Sequence, residues 1–518
     1  MVLYMCTEKW NRVFYFFEIK NIDIALYFWY YIIVKIRHYS FNLILSLKEV
    51  IIMKKTTPEV LYDLIPSQET MYLMFKYTFS KQIAQIATSF ALENDIDFDL
   101  LTKALNIELQ RNDSLRLKFI KADKKIKQYF VPELKISSVP KKYFRTIEEQ
   151  KAFFEKDAQT PVRFDKGENF RIYFYKNANG TNGVYFNVSH LNMDAMGAVI
   201  FYLDLLGIYS SIKNGKELPK PLASYEEYIK HELEILKNTK KMEKHEQFYR
   251  EYFAKGGEPF YAGVHGPAFL EKHRAKKKNP DLRVPPAYNP LLDKCNMING
   301  HIGPDDAAKI FAFCKERGIA PESLFMLGLR THCSAINYRT DDVFMMATCS
   351  KRATVKEKRM SGCLVQPVQV RTIIPETATF EEGLNEYTSV RTKLYRHTDY
   401  PYITARDLSR DMYNYNLIQG PACMMFSWIP VPIDLSEMGF DLKFDFQVYD
   451  LGRYFTPLYT ICSPDPKDKG INLNYMYRVK LSEKSHIDAL HKNCMKVVMA
   501  GIENPQITIK ELLDMCSR

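Results

Sequence analysis

The sequence predicts an α+β protein built as two halves with a site between them. Three observations lead there. Strand-like and helix-like runs interleave along the chain instead of segregating. At 518 residues the chain is too long for one ordinary domain. Between about 215 and 292 a charged helical stretch and a proline-rich loop break the pattern, which then starts again. With 46% apolar and 14% aromatic residues, there is material to fill two cores.

The elements follow in order. KQIAQIATSFALEN ends in a strand-like run. DIDFDLLTKALNIELQRND reads as a helix, with Asp97 or Asp99 to cap it and Leu101, Ala104, Leu105, Glu108 and Leu109 at helical spacing. SLRLKF and IKQYFVPE alternate like strands, and a polar stretch follows. Two more strands, FRIYFYK and GVYFNVS, are joined by the turn-rich NANGTN. In the second, Val184, Phe186 and Val188 point one way, and Tyr185, Asn187 and Ser189 the other. The helix after Asp194 carries Met196, Val199, Ile200, Leu203 and Leu206 on one face. ELPKPLASYEEYIKHELEILKNTKKMEKHEQFYREYFAKGGEP reads as a charged helical linker.

The second half repeats the logic. GPDDAAKIFAFCKERG is a helix with Pro304 near its start and Gly318 near its stop. PESLFMLGLRTHCSAINYR is a buried helix and DDVFMMATCS a strand. CLVQPVQVRTII follows, then a helix through FEEGLNEYTSVRTKLYRH, the strands CMMFSWIPV, LYTICSP and INLNYMYR, and a last helix at about 482–501. The expected organisation is an extension at 1–52, a first subdomain at 53–230 and a second at 231–518.

Residues 1–52 stand apart. They are apolar and aromatic, but their longest uncharged run, IALYFWYYIIV, has 11 residues, against the roughly 20 that a spanning helix needs. LKEVIIM can be encoded with a bacterial ribosome-binding sequence just ahead of the Met53 codon. Translation is therefore expected to start at Met53, with 1–52 a read-through of untranslated DNA. A membrane-associating amphipathic segment is the other reading.

Formal net charge is +11, spread along the chain, which fits an anionic partner. Nucleic acid is not that partner, because zinc-finger spacing and a long basic stripe interleaved with aromatics are both missing. The densest basic run, KHRAKKKNPDLR at 272–283, reads as a solvated loop. The ten cysteines form no C-x-x-C pair, and several sit in apolar runs. They read as reduced core residues of a cytoplasmic protein, with no metal site.

VYFNVSHLNMDAMGAVIFYLDLL (184–206) holds the chemistry. His190 ends a strand and Asp194 opens a helix, a junction that places a side chain at the rim of a sheet. A histidine there can hold one ring nitrogen against a backbone carbonyl and keep a base near its ordinary pKa of about 6.5. Asp194 can accept backbone N–H bonds or pair with an arginine from the other half. The same spacing recurs at His301 and Asp305, but there Pro304 and the aspartate pair read as helix-start residues, with His301 in a loop before them.

Several stretches in fixed order carry a resemblance: LIPSQETMYL (64–73), DIDFDLLTKALNIELQRNDSLRLKF (95–119), SHLNMDAMG (189–197), KPLASYEEYIKHE (220–232) and QFYREYFAKGGEP (247–259), then CSKRATVKEKRMSGCLVQPVQVRT (349–372), RTKLYRHTDYPY (391–402) and NLNYMYRVKLSE (472–483). Together they resemble the condensation domain of non-ribosomal peptide synthetases, within the chloramphenicol-acetyltransferase-like acyltransferase superfamily, over nearly all of 60–515. The resemblance implies two such subdomains in a V with a central tunnel. It puts His190 at the second, catalytic histidine of His-His-x-x-x-Asp-Gly, Asp194 at the structural aspartate, and Arg352 at its arginine partner. Ser189 replaces the first histidine and Ala195 the glycine, with Gly197 two residues on. Ser427 falls where some superfamily members place an oxyanion-stabilising hydroxyl.

The implied reaction moves an acyl or aminoacyl group from a thioester to an amine or hydroxyl acceptor. His190 is the base, and N–H groups around Ala195 and Gly197, with Ser427, face the oxyanion. No tightly bound cofactor is needed. The donor is a phosphopantetheine thioester on an acyl or peptidyl carrier protein, or acyl-coenzyme A, supplied in trans to a monomer that carries no adenylation or carrier segment of its own. Ser189 and Ala195 also fit a catalytically inactive relative that binds carriers as a scaffold.

Overall fold

Every position of strand β6 (Asn182–Ser189) is buried, so both of its faces need cover. One comes from the helix Ala195–Lys213, where Phe186 stacks on Phe201 at 4.4 Å. The other comes from the helix Ile147–Ala158, where Tyr185 stacks on Phe154 at 4.2 Å. Tyr185 and Asn187 also donate to Asp157 Oδ2, each at 2.9 Å. The face that carries Tyr185, Asn187 and Ser189 is thus a second buried layer. A computed structural model describes residues 60–92, 95–286, 294–416, 419–431 and 444–516. The extension at 1–52 and its alternative start lie outside the described residues.

β6 is the middle of a five-stranded sheet. β1 (Gln85–Leu92) and β5 (Phe170–Asn177) flank it antiparallel, and β4 (Lys141–Phe144) lies parallel to β5. The edge beside β1 is closed by β11 (Phe444–Val448), with Thr88 opposite Val448 and Phe90 opposite Phe446. The order is therefore β11-β1-β6-β5-β4. β11 belongs by sequence to the 231–518 segment, so the first sheet draws on both sides of the 230/231 division. β2 (Leu117–Ala122) and β3 (Lys125–Phe130) form a separate hairpin.

The second sheet has six strands. β8 (Asp342–Ser350) and β9 (Val365–Ile373) pair antiparallel, and β10 (Met425–Trp428) runs parallel to β8 and to β12 (Leu458–Pro464). β13 (Ile471–Arg478) pairs with β12 and with β7 (Cys295–Ile302), an edge strand buried only at its two ends. The order is β7-β13-β12-β10-β8-β9. His301, expected in a loop, sits in β7 opposite Asn472.

The charged linker is two helices with buried faces. Tyr225–Leu236 buries Tyr225, Tyr228 and Ile229 against Ile65, Leu117, Met360 and Leu364, and Thr239–Ala254 sets Tyr249 and Phe253 in the second core. The basic run is solvated as read, but its first half is helical, Ala268–Lys277. Helices Pro66–Tyr77, Tyr402–Met412 and Ile509–Cys516 join the expected ones. Ala195–Lys213 is long and apolar enough to cross a membrane, and here it is the buried core helix of the first sheet.

Against that helix lies Phe98–Arg111, capped by Asp97, which accepts from the Asp99 and Leu100 amides. Its Glu108 is fully buried, accepts from Asn112 Nδ2 at 2.8 Å and feels the charge of Asp204, which pairs with Arg111 at 3.1 Å. Burial first, then Asp204, pushes the Glu108 carboxyl well above the usual range, so it stays protonated in the fold. In the unfolded chain it ionises above about pH 4.3. Folding then takes up a proton, at a cost that grows as pH rises. Glu108→Gln keeps a donor and an acceptor without titrating. It is expected to melt higher than wild type at pH 8 and to converge with it at pH 4, and a pH-independent difference would remove the protonated carboxyl from the account.

Candidate active site

His190 is the first residue past β6, and its N–H donates to Ala84 O at 2.9 Å, one step beyond the Gln85–Ser189 pair. The turn that follows is tied at Leu191 and Asn192. The Leu191 N–H donates to Ser189 Oγ at 3.3 Å, and Gln68 Nε2 donates to Leu191 O at 3.0 Å. Asn192 Nδ2 donates to Ser114 O and Leu117 O, each at 3.0 Å. Ser189, Leu191, Asn192 and Met193 are fully buried.

Asp194 caps the helix Ala195–Lys213 and accepts three bonds. Oδ1 takes the Gly197 N–H at 2.7 Å, and Oδ2 takes Arg352 Nη1 and the Leu364 N–H, both at 2.8 Å. Arg352 spends its other donors on Ser350 Oγ, Met360 O and Gly362 O at 3.0–3.3 Å. The Arg352 and Asp194 side chains are 4% and 2% exposed. A pair this dry is tolerable because its lone pairs and protons are bonded. The Asp194 N–H completes the clamp on Gly362 O at 3.0 Å. Residues 352–364 are thereby fixed on the helix start.

That approach needs glycine twice. A Cβ on Gly197 would lie 3.0 Å from Gly362 N and O and 2.6 Å from Met193 Cγ, and one on Gly362 would meet the Tyr225 ring at 2.5 Å. Gly197 therefore serves packing, and with its N–H committed to Asp194 it is not the oxyanion donor that was expected. Ala195 is half-buried, and among the described residues its amide and that of Met196 have no partner. Ser427 is buried in β10, where its Oγ bonds Thr348 Oγ1 and Tyr459 OH, both at 2.8 Å.

The His190 ring is half-buried. Burial lowers its pKa below the ordinary value, opposed by a hydrogen bond to its own backbone carbonyl and by the Asp194 charge. It is therefore neutral at pH 7, the form a base requires. Its Nδ1 lies 3.8 Å from Cys363 Sγ, a neighbour the sequence reading missed. Gln68, Asn192 and Tyr225, which support the turn or residues 352–364, were missed as well. His301 bonds Asp468 at 2.8 Å and Asn472 at 3.1 Å, and with Asp465 its ligand atoms lie within 4.8 Å of one another at an exposed edge.

A condensation-domain family model matches residues 59–516. A plipastatin synthase of Bacillus subtilis (strain 168) is 20% identical over 456 residues, 87% of this chain and 17% of that protein. Tyrocidine synthase 3 of Brevibacillus parabrevis is 20% identical over 473 residues, 88% of this chain and 6% of that protein. The chain thus spans less than a fifth of either relative. Among solved structures, the first condensation domain of the calcium-dependent antibiotic synthetase, in complex with a substrate analogue, superposes with a TM-score of 0.70 at 13% identity, covering 88% of this chain and 99% of that one. The starter condensation domain of rhizomide synthetase, in complex with C8-CoA, gives 0.69 at 15% identity, covering 87% and 97%. The fold they share is the chloramphenicol-acetyltransferase-like one, and the chain belongs to the condensation-domain family of non-ribosomal peptide synthesis.

Proposed function

We propose that this chain is an acyltransferase that carries an acyl or aminoacyl group from a thioester to an amine or hydroxyl, with His190 as the base. The observation that carries this is the His190 ring at the rim of a sheet, its Nδ1 3.8 Å from Cys363 Sγ, beside the buried Asp194–Arg352 clamp. The acceptor hydrogen-bonds Nε2, which takes its proton as the nucleophile attacks the thioester carbonyl. The tetrahedral oxyanion needs N–H donors, and the amides of Met193, Ala195 and Met196 are left uncommitted here among the described residues. Collapse expels the thiol, which regains the proton from the same imidazole. Asp194 and Arg352 hold the loops and move no proton.

The donor is acyl-coenzyme A or a phosphopantetheine thioester on an acidic carrier protein, as the net charge of +11 favours. A fold relative in complex with C8-CoA supports the same class. Metal and tightly bound cofactor play no part in this scheme. A monomer in a reducing, cytoplasmic compartment fits the nine described cysteines, all of them buried. A scaffold that binds carriers without turnover is the second reading, favoured by Ser189, Ala195 and the committed Gly197 amide.

The test is thiol release and product mass from octanoyl-coenzyme A and from a loaded carrier protein, with a panel of amines and alcohols. His190→Ala is expected to lower the rate by about 10²–10⁴-fold with an unchanged melting temperature. Equal activity in the variant would end the assignment, and carrier binding without turnover in wild type would favour the scaffold. Because the base works unprotonated and its pKa is lowered, the rate should be flat through neutral pH and fall only as pH drops through a midpoint below about 6.5. Asp194→Ala strands the Arg352 charge and should cost about 3–5 kcal/mol of stability, read as a lower melting temperature that His190→Ala does not share.

A further inference from the structure

We propose that Cys363 is a positioning residue for His190: its sulfur closes the Nδ1 side of the imidazole, which leaves Nε2 as the nitrogen offered to the acceptor. The inference rests on the acyltransferase reading above. The Sγ–Nδ1 distance is 3.8 Å, in range for a ring N–H facing a sulfur lone pair. In this proposal Nδ1 carries the hydrogen and points it at the sulfur, and Nε2 keeps its lone pair. A thiol donating to Nδ1 would force the opposite tautomer, with no base on the open side.

The contact is built rather than incidental. Cys363 O accepts from Ser67 Oγ at 2.6 Å and from Tyr225 OH at 3.1 Å. Its two chain neighbours are bonded to Asp194, Gly362 through its carbonyl and Leu364 through its amide. One residue thus fixes both the turn that presents His190 and the strand approach that presents the sulfur. Cys363 itself is fully buried among Leu64, Met71, Phe75 and Leu191. Burial pushes its thiol far up, so it stands as a neutral sulfur and not as a competing nucleophile.

The experiment uses the full chain with ring-15N histidine, His190→Ala assigning the His190 signals. Wild type should show Nδ1 protonated and Nε2 bare near pH 8. Cys363→Val, which fills the space without a lone pair, should give averaged tautomers and a kcat about tenfold lower, with KM for octanoyl-coenzyme A and the melting temperature unchanged. Cys363→Ser should restore both the single tautomer and kcat. If the valine variant does not fold, Cys363→Ala replaces it. Wild-type tautomer and kcat in the valine or alanine variant overturn the proposal. The tautomer is read without turnover. Inactivity of wild type against every thioester would therefore sink the acyltransferase reading alone, while a tautomer change on replacing Cys363 would still uphold the contact.

Discussion

The site depends on one buried carboxylate. Asp194 does three jobs with two oxygens and an amide: it caps the core helix of the first sheet, pairs with Arg352 and bonds both sides of Cys363. Each bond joins residues more than 150 positions apart or closes the helix start, so the long-range ones cannot be made until the segment after β8 has docked. The pair is too dry to be a gain in simple electrostatic terms. What it supplies is register: a misplaced loop would leave a charge unpaired in the interior.

That constraint explains the shape of the chain around it. The two sheets are not separately wrapped. β11 crosses to the edge of the first sheet, and Cys295, Ile429 and Ile461 pack into the first sheet's core. The helix Tyr225–Leu236 spans residues from before 120 and after 360 in one small cluster. A glycine at 197 faces a glycine at 362 because backbone must touch backbone for the carboxylate to reach its partners.

How much of this was legible follows from where each signal sits. β6 and the helix after it were plain, since apolar alternation and helical spacing are local. His190 and Asp194 could be placed at a strand-to-helix junction from pattern alone. The helix Ile147–Ala158 was not visible, because it buries Gln150, Phe154 and Ala158, a single narrow stripe among charges. β7 is an exposed edge whose polar sequence carries no alternation. β11 is five residues long and pairs with a strand some 350 positions earlier. The linker helices misled through their charge, although Tyr225, Tyr228 and Ile229 recur at helical spacing. Arg352 was reachable only through family resemblance, and Cys363, 173 residues from His190, had no local mark at all.

The two departures from the family motif look different once the packing is known. Ser189 is fully buried in register with Gln85, and its hydroxyl accepts the Leu191 amide. It therefore shapes the turn that presents the next residue. Ala195 is half-buried at the first helical position, while the close backbone approach falls at Gly197, where a side chain would collide with Gly362. The steric need for glycine in this chain thus lies two residues further along the helix. A methyl at 195 leaves its own amide uncommitted, and the Asp194 cap has already consumed the Gly197 N–H. Both substitutions leave the presentation of His190 intact, and it is this presentation, rather than the motif letter by letter, that the proposed role of His190 as a base requires.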